Sequence, residues 1–222
     1  MKPITIALKK VQCQQTTSGP GSDEPYVVVF TADMSTTPPG ALATVYGPWD
    51  DVDSGETAAT IPILPIFPPD FVNAITIFRR NCWGIGRQPA VINSPADAII
   101  LVALMENDDG NPGAAEAVVQ SFLFASIISS LGAHLSRAAL VSRLKEDMAS
   151  ALKLTGTGFP SSDDPIGGVE ELALTAADLA AADAGSTTKK LQFSGDGGKY
   201  TLVFGLQKAA VGASAVTGAA VA

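Results

Sequence analysis

The chain has 222 residues, 46% of them apolar, and carries 14 Lys and Arg against 22 Asp and Glu for a formal net charge of −8. That length and apolar content suffice for one large domain or two small ones, with a core that needs no covalent staples. A pI near 4.5 argues against a nucleic-acid partner, which needs a basic stripe, and against simple electrostatic adhesion to anionic lipid; clustered carboxylates are instead compatible with Ca²⁺.

The amino terminus "MKPITIALKK" lacks the apolar core and cleavage site of a signal peptide. It reads as a strand, so a chain that stays in the cytoplasm or leaves by a route other than Sec is expected. "ITIALKKVQC" alternates weakly, and "PYVVVFTADM" is β-branched and aromatic between turn signals, so both read as strands. A Pro/Gly-punctuated loop follows, with a short strand at 43–46. "TAATIPILPIFPP" has too many prolines for a central strand and reads as an edge strand or extended arm. Residues 74–79 read as the centre of another strand, and "DAIILVALMEND" as a buried one.

The period then changes. Asn111-Pro112-Gly113 opens a helix over 114–131 that is apolar on nearly every face, with Glu116 its sole charge. Ser136 reads as the N-cap of a second helix, with Leu140, Leu144, Met148 and Leu152 at helical spacing and Gly156 and Gly158 ending it. The chain returns to β with a strand at 169–174, a short helix from Thr175, and a hairpin of 191–193 and 200–206 about a Gly-rich turn. The tail 209–222 is uncharged, low-complexity Ala, Gly and Val. The order predicts a mainly β domain over 1–208, a β-sandwich with a helical hairpin inserted at 111–158, followed by the tail.

Cys13 and Cys82 are the chain's two cysteines. They read as buried free thiols; a disulfide, with an oxidising compartment, is the alternative. The single histidine, His134, sits in an apolar helical context and reads as structural, not catalytic. Enzyme signatures are missing: there is no G-x-S-x-G, no P-loop, and "CWGIGRQPAV" has a bare G-x-G outside a strand–helix context. A non-enzymatic protein is expected.

Carboxylates concentrate in four loops: Asp23 and Glu24; Asp50, Asp51, Asp53 and Glu56; Glu106, Asp108 and Asp109; and Asp163 and Asp164. Taken singly, each is ordinary turn chemistry. The third and fourth, however, flank the helical insertion. If the strands on either side pair, "LMENDDGNPG" and "SSDDPIGG" become neighbours, and crowded carboxylates without a counter-charge invite a cation.

Three stretches together resemble the calcium-loop signatures of C2 domains. Residues 19–27, "GPGSDEPYV", resemble that family's G-x-S-D-P-Y-V strand entry, with Glu24 inserted. Residues 101–108 resemble its apolar strand ending in D-x-D, with Glu106 in place of the first Asp. Asp164, Pro165, Ile166 and Gly167 resemble the closing D-x-I-G. The chain departs from the pattern at Thr17, where an Asp is usual, in the helical insertion, and in lacking an evident basic strand for lipid headgroups. The resemblance implies an eight-stranded antiparallel sandwich that binds Ca²⁺ between loops at one end and docks on phospholipid or protein. It implies Ca²⁺ ligation by Asp23, Glu106, Asp108 and Asp164, with Asp109 and Asp163 as neighbours able to substitute.

Two alternatives follow from other segments. Residues 114–133 are long enough to span a membrane, which suits a toxin-like inserting protein; burial between the second helix and the β-core is the expectation preferred here. The proline arm around Phe67, Pro68 and Pro69 and the chargeless tail suit a self-assembling subunit of a filament, shell or injection machine, a homo-oligomer.

Overall fold

The computed structural model describes residues 2–18, 22–59, 81–108, 111–154 and 163–209. The chain is mixed α and β. Its described strands are β1 (Ile4–Gln15), β2 (Pro25–Asp33), β3 (Gly40–Tyr46), β4 (Thr57–Ala59), β5 (Ala98–Glu106), β6 (Glu170–Glu171), β7 (Ser186–Gly195) and β8 (Gly198–Lys208). Its described helices are α1 (Pro112–Leu131), α2 (Arg137–Leu152) and α3 (Ala176–Ala184). The strands form two four-stranded antiparallel sheets, in the orders β4-β1-β8-β7 and β3-β2-β5-β6.

One apolar cluster joins the two sheets. It takes Ile6, Leu8 and Val11 from β1, Val27 and Val29 from β2, Ile100 and Leu104 from β5, and Leu202 and Phe204 from β8. The weak alternation of β1 has a physical cause. A register irregularity between Leu8 and Lys10 shifts the inward set from Ile4, Ile6 and Leu8 to Val11 and Cys13. β2 and β5 read as unbroken apolar runs because both of their faces are covered. Their second faces (Tyr26, Val28 and Phe30; Ile99, Leu101 and Met105) pack with α1 and α2 in a separate cluster.

The helices begin where side-chain caps were expected. Ala114 N–H donates to Asn111 Oδ1, and Ala139 N–H to the Ser136 hydroxyl. α1 also closes the edge of the second sheet. Gln120 exchanges hydrogen bonds with the Ala41 carbonyl and the Ala43 amide of β3, and Glu116 accepts from the Val45 amide at 3.2 Å. Residues 116 and 120 stand one helical turn apart, so both reach the same strand and leave fewer of its edge groups unpaired.

Several expectations are corrected. α1 is not enclosed between α2 and the strands: it packs beside α2 over β3 and β2, while α2 reaches β5. The two helices thus share one layer, and α1 keeps an exposed side bearing Phe122, Phe124, Ile128 and Leu131. By length and composition α1 could cross a membrane. His134 lies in the exposed turn between α1 and α2, in left-handed backbone at φ 48°, not within a helix. The strand expected over 169–174 shrinks to two residues, and Leu172 and Leu174 enter the core ahead of α3. α2 ends at Leu152, before Gly156 and Gly158, which lie outside the described residues. The strand expected at 74–79, the proline arm beyond residue 59, Asp109 and the tail beyond Ala209 also lie outside them.

Both cysteines are free and buried. Burial pushes the Cys82 thiol up to about 12 and also raises Cys13, so both behave as core residues.

Candidate functional site

Every acidic loop read from the sequence reaches the same end of the molecule. The segment before β2 joins the 50–56 loop: Asp23 and Val52 exchange backbone hydrogen bonds at 3.3 and 2.9 Å, and the Ser22 hydroxyl donates to Asp51 at 2.8 Å. The end of β5 joins the same segment, because Asn107 N–H donates to the Glu24 carbonyl at 3.2 Å. The turn of the β7–β8 hairpin is tied in by Ser18 N–H to the Asp196 carbonyl at 2.9 Å.

The two mouths of the helical insertion meet directly. Glu106 N–H donates to the Asp164 carbonyl at 2.8 Å, Ile166 N–H to the Leu104 carbonyl at 2.9 Å, and Asp108 N–H to Asp163 Oδ1 at 3.3 Å. Gly167 is essential to this closure. It holds φ 88°, and a Cβ there would stand 3.0 Å from the Ser194 carbonyl. The glycine of "DPIG" thereby lets the acidic turn lie against the β7–β8 hairpin.

The carboxylates differ in what their oxygens already hold. Asp23, only 3% exposed, accepts from Thr17 N–H at 3.1 and 3.0 Å, from the Thr17 hydroxyl at 2.8 Å and from the Tyr200 hydroxyl. Thr17 therefore supplies donors where a second carboxylate would have supplied charge, and Asp23 serves as a buried anchor between β1, β2 and β8. Burial and the bond to Asp23 push the Tyr200 phenol well up. Asp163, 5% exposed, accepts from the Tyr26 hydroxyl at 2.8 Å as well as from the Asp108 amide.

Glu24, Glu106, Asp108 and Asp164 form the accessible lip. Burial, then the charge of Asp108, with a contribution from Asp23, raises Glu106 to about 7. Asn107 Nδ2–H donates to Glu24 Oε2 at 3.2 Å, while its buried Oδ1 has no hydrogen-bond partner. None of the ion pairs among the described residues involves Glu24, Glu106 or Asp164.

The donor chemistry of this end suits a hard cation: carboxylates, an orphan amide oxygen and an acid whose ionisation is opposed by its neighbours. The geometry is looser than the chemistry. Among the described residues, no three His, Cys, Asp or Glu side chains converge as a metal-holding group. The lip side chains would have to turn inward to share an ion. Of the expected ligands, the structure brings together Glu106, Asp108, Asp163 and Asp164. It holds Asp23 nearby but occupied by protein donors.

Sequence reasoning placed Glu24 in an acidic loop but not among the ligands, and missed Asn107, Tyr26 and Tyr200 as parts of this end. The two tyrosines carried a signal, since a tyrosine inside an apolar strand needs a partner for its hydroxyl. Comparison of the chain with protein-family models, characterised proteins and solved structures yields no match.

Proposed function

We propose that the chain is a non-enzymatic, C2-like binding module that holds Ca²⁺ at the acidic end and engages a membrane or protein partner. The observation that carries this reading is the meeting of the insertion's two mouths, which sets the Glu106 amide on the Asp164 carbonyl at 2.8 Å and gathers Glu24, Glu106, Asp108 and Asp164 on one lip. Two four-stranded antiparallel sheets with a common apolar cluster agree with the sandwich that the resemblance implies. In this reading Glu24, Glu106, Asp108 and Asp164 supply the ion's oxygens, Asn107 Oδ1 supplies a neutral one, and Asp23 and Asp163 fix the loops.

Binding to the folded state alone raises stability by mass action. The full chain should melt several degrees higher in millimolar CaCl₂ than in EDTA, and Asp164→Asn with Glu106→Gln should erase the difference. Identical melting curves in CaCl₂ and EDTA would sink the reading.

A second reading, a self-assembling subunit, is favoured by one observation. Phe124, Ile128 and Leu131 are exposed at the 4-3 spacing that a helix seam uses, on a helix whose sole charge, Glu116, is paired with Arg87.

A further inference from the structure

A cavity of about 420 Å³ lies beside the acidic lip, where the end of β5, the last turn of α2 and residues 163–169 meet. The volume lies in the range of small-molecule sites, roughly 300–1,000 Å³. Much of its wall is apolar, with Met105 from the strand, Ala149 and Leu152 from α2, and Val169 from the closing segment. Asp163, Asp164 and Lys153 are its charged residues.

We propose that this cavity binds a small amphiphile with an apolar body and a positively charged amine. The apolar wall selects the body, because hydrocarbon placed there leaves water. Three features select the charge. Asp163 is a buried carboxylate in the wall. Asp164 adds a second negative charge beside it. α2 ends at the cavity, with Leu152 in the wall and Lys153 as its C-cap, so the negative end of the helix dipole lies there too. Lys153 opposes an amine, but it is exposed at the helix end and its long side chain is free to turn to water. Asp163 and Asp164 outweigh it, and Asp163 is held in place by Tyr26 and the Asp108 amide. No Ca²⁺ is required, so the site stands apart from the cation reading above.

The test is titration calorimetry of the full chain in EDTA with octylamine, octanoate and octanol. Octylamine should bind, with octanol weaker and octanoate weakest. Ala149→Trp, at an exposed helical position, should fill the cavity and weaken octylamine binding by roughly tenfold or more. Asp164→Asn should weaken octylamine several-fold and leave octanol unchanged, while Lys153→Met should leave octylamine binding unchanged or strengthen it. Circular dichroism and melting of each variant establish that it is folded. The proposal is overturned if octylamine fails to bind, if octanoate binds as tightly, or if folded Ala149→Trp binds octylamine like the parent chain. Since all arms contain EDTA, these outcomes are independent of whether the lip binds Ca²⁺.

Discussion

Glu106 sits where burial and neighbouring carboxylates all oppose its ionisation, and the consequence is a pH dependence with a definite sign. In the unfolded chain it loses its proton near 4.5; in the folded chain it keeps the proton to about 7. Between those values the folded state binds more protons, so stability falls as pH rises through the window. The side chain is only partly buried and solvent screens it, so the effect is about 1 kcal/mol, well below the full value of the shift. Glu106→Gln should remove this fall, leaving the mutant more stable than the parent at pH 8 and close to it at pH 4. Urea denaturation at the two pH values checks it; parallel losses in parent and mutant would place the cause elsewhere. The neighbouring Asp23 has a different role although it belongs to the same motif. Its type was legible in the sequence, but the four hydrogen bonds from Thr17 and Tyr200 that occupy it were not. Tyr200 lies 177 residues away along the chain, and no local pattern announces such a pairing.

α1 shows at the scale of one element what an apolar sequence leaves open. Its start was legible in Asn111 and Pro112, and its helical type in its length. Its buried face was not, because residues that are apolar on all sides carry no amphipathic signal. The buried face proves to hold Ala115, Val119, Leu123 and Ile127, and Ser126 bonds Asp147 of α2. The opposite face holds Phe124 and Ile128, exposed to solvent. Replacing both by serine should leave melting nearly unchanged, within about 0.5 kcal/mol, since neither supports the core. If this face joins copies of the chain, sedimentation velocity should show the parent chain associated and the double variant at the mass of a single chain. A parent chain already monomeric at high micromolar concentration would end the self-assembly reading.

For the molecule as a whole, the inserted hairpin is a third layer and not an appendage. Tyr26, Val28, Phe30, Ile99 and Leu101 are fully buried on the sheet face that the helices cover. Uncovering them would cost on the order of 10 kcal/mol, comparable with the entire stability of a domain. A shortened chain in which a Gly/Ser linker replaces 109–162 should therefore lack a cooperative melting transition and aggregate. A sharp transition near that of the parent would instead show that the two sheets stand alone. The sequence by itself determined strands β1, β2 and β5, the helix caps and the acidic character of the loops, because each depends on residues near in the chain: β-branched runs, Asn111, Ser136, Asp-Pro turns. Its chain order even implied that the two mouths of the insertion meet, since antiparallel partners must bring their ends together. Only the tertiary structure decided which face of α1 is covered, that Asp23 is saturated with donors while Glu24 and Glu106 are not, and that a cavity opens between α2 and the closing turn. Those outcomes depend on how layers pack and on contacts such as one between residues 202 positions apart, which local propensity does not encode.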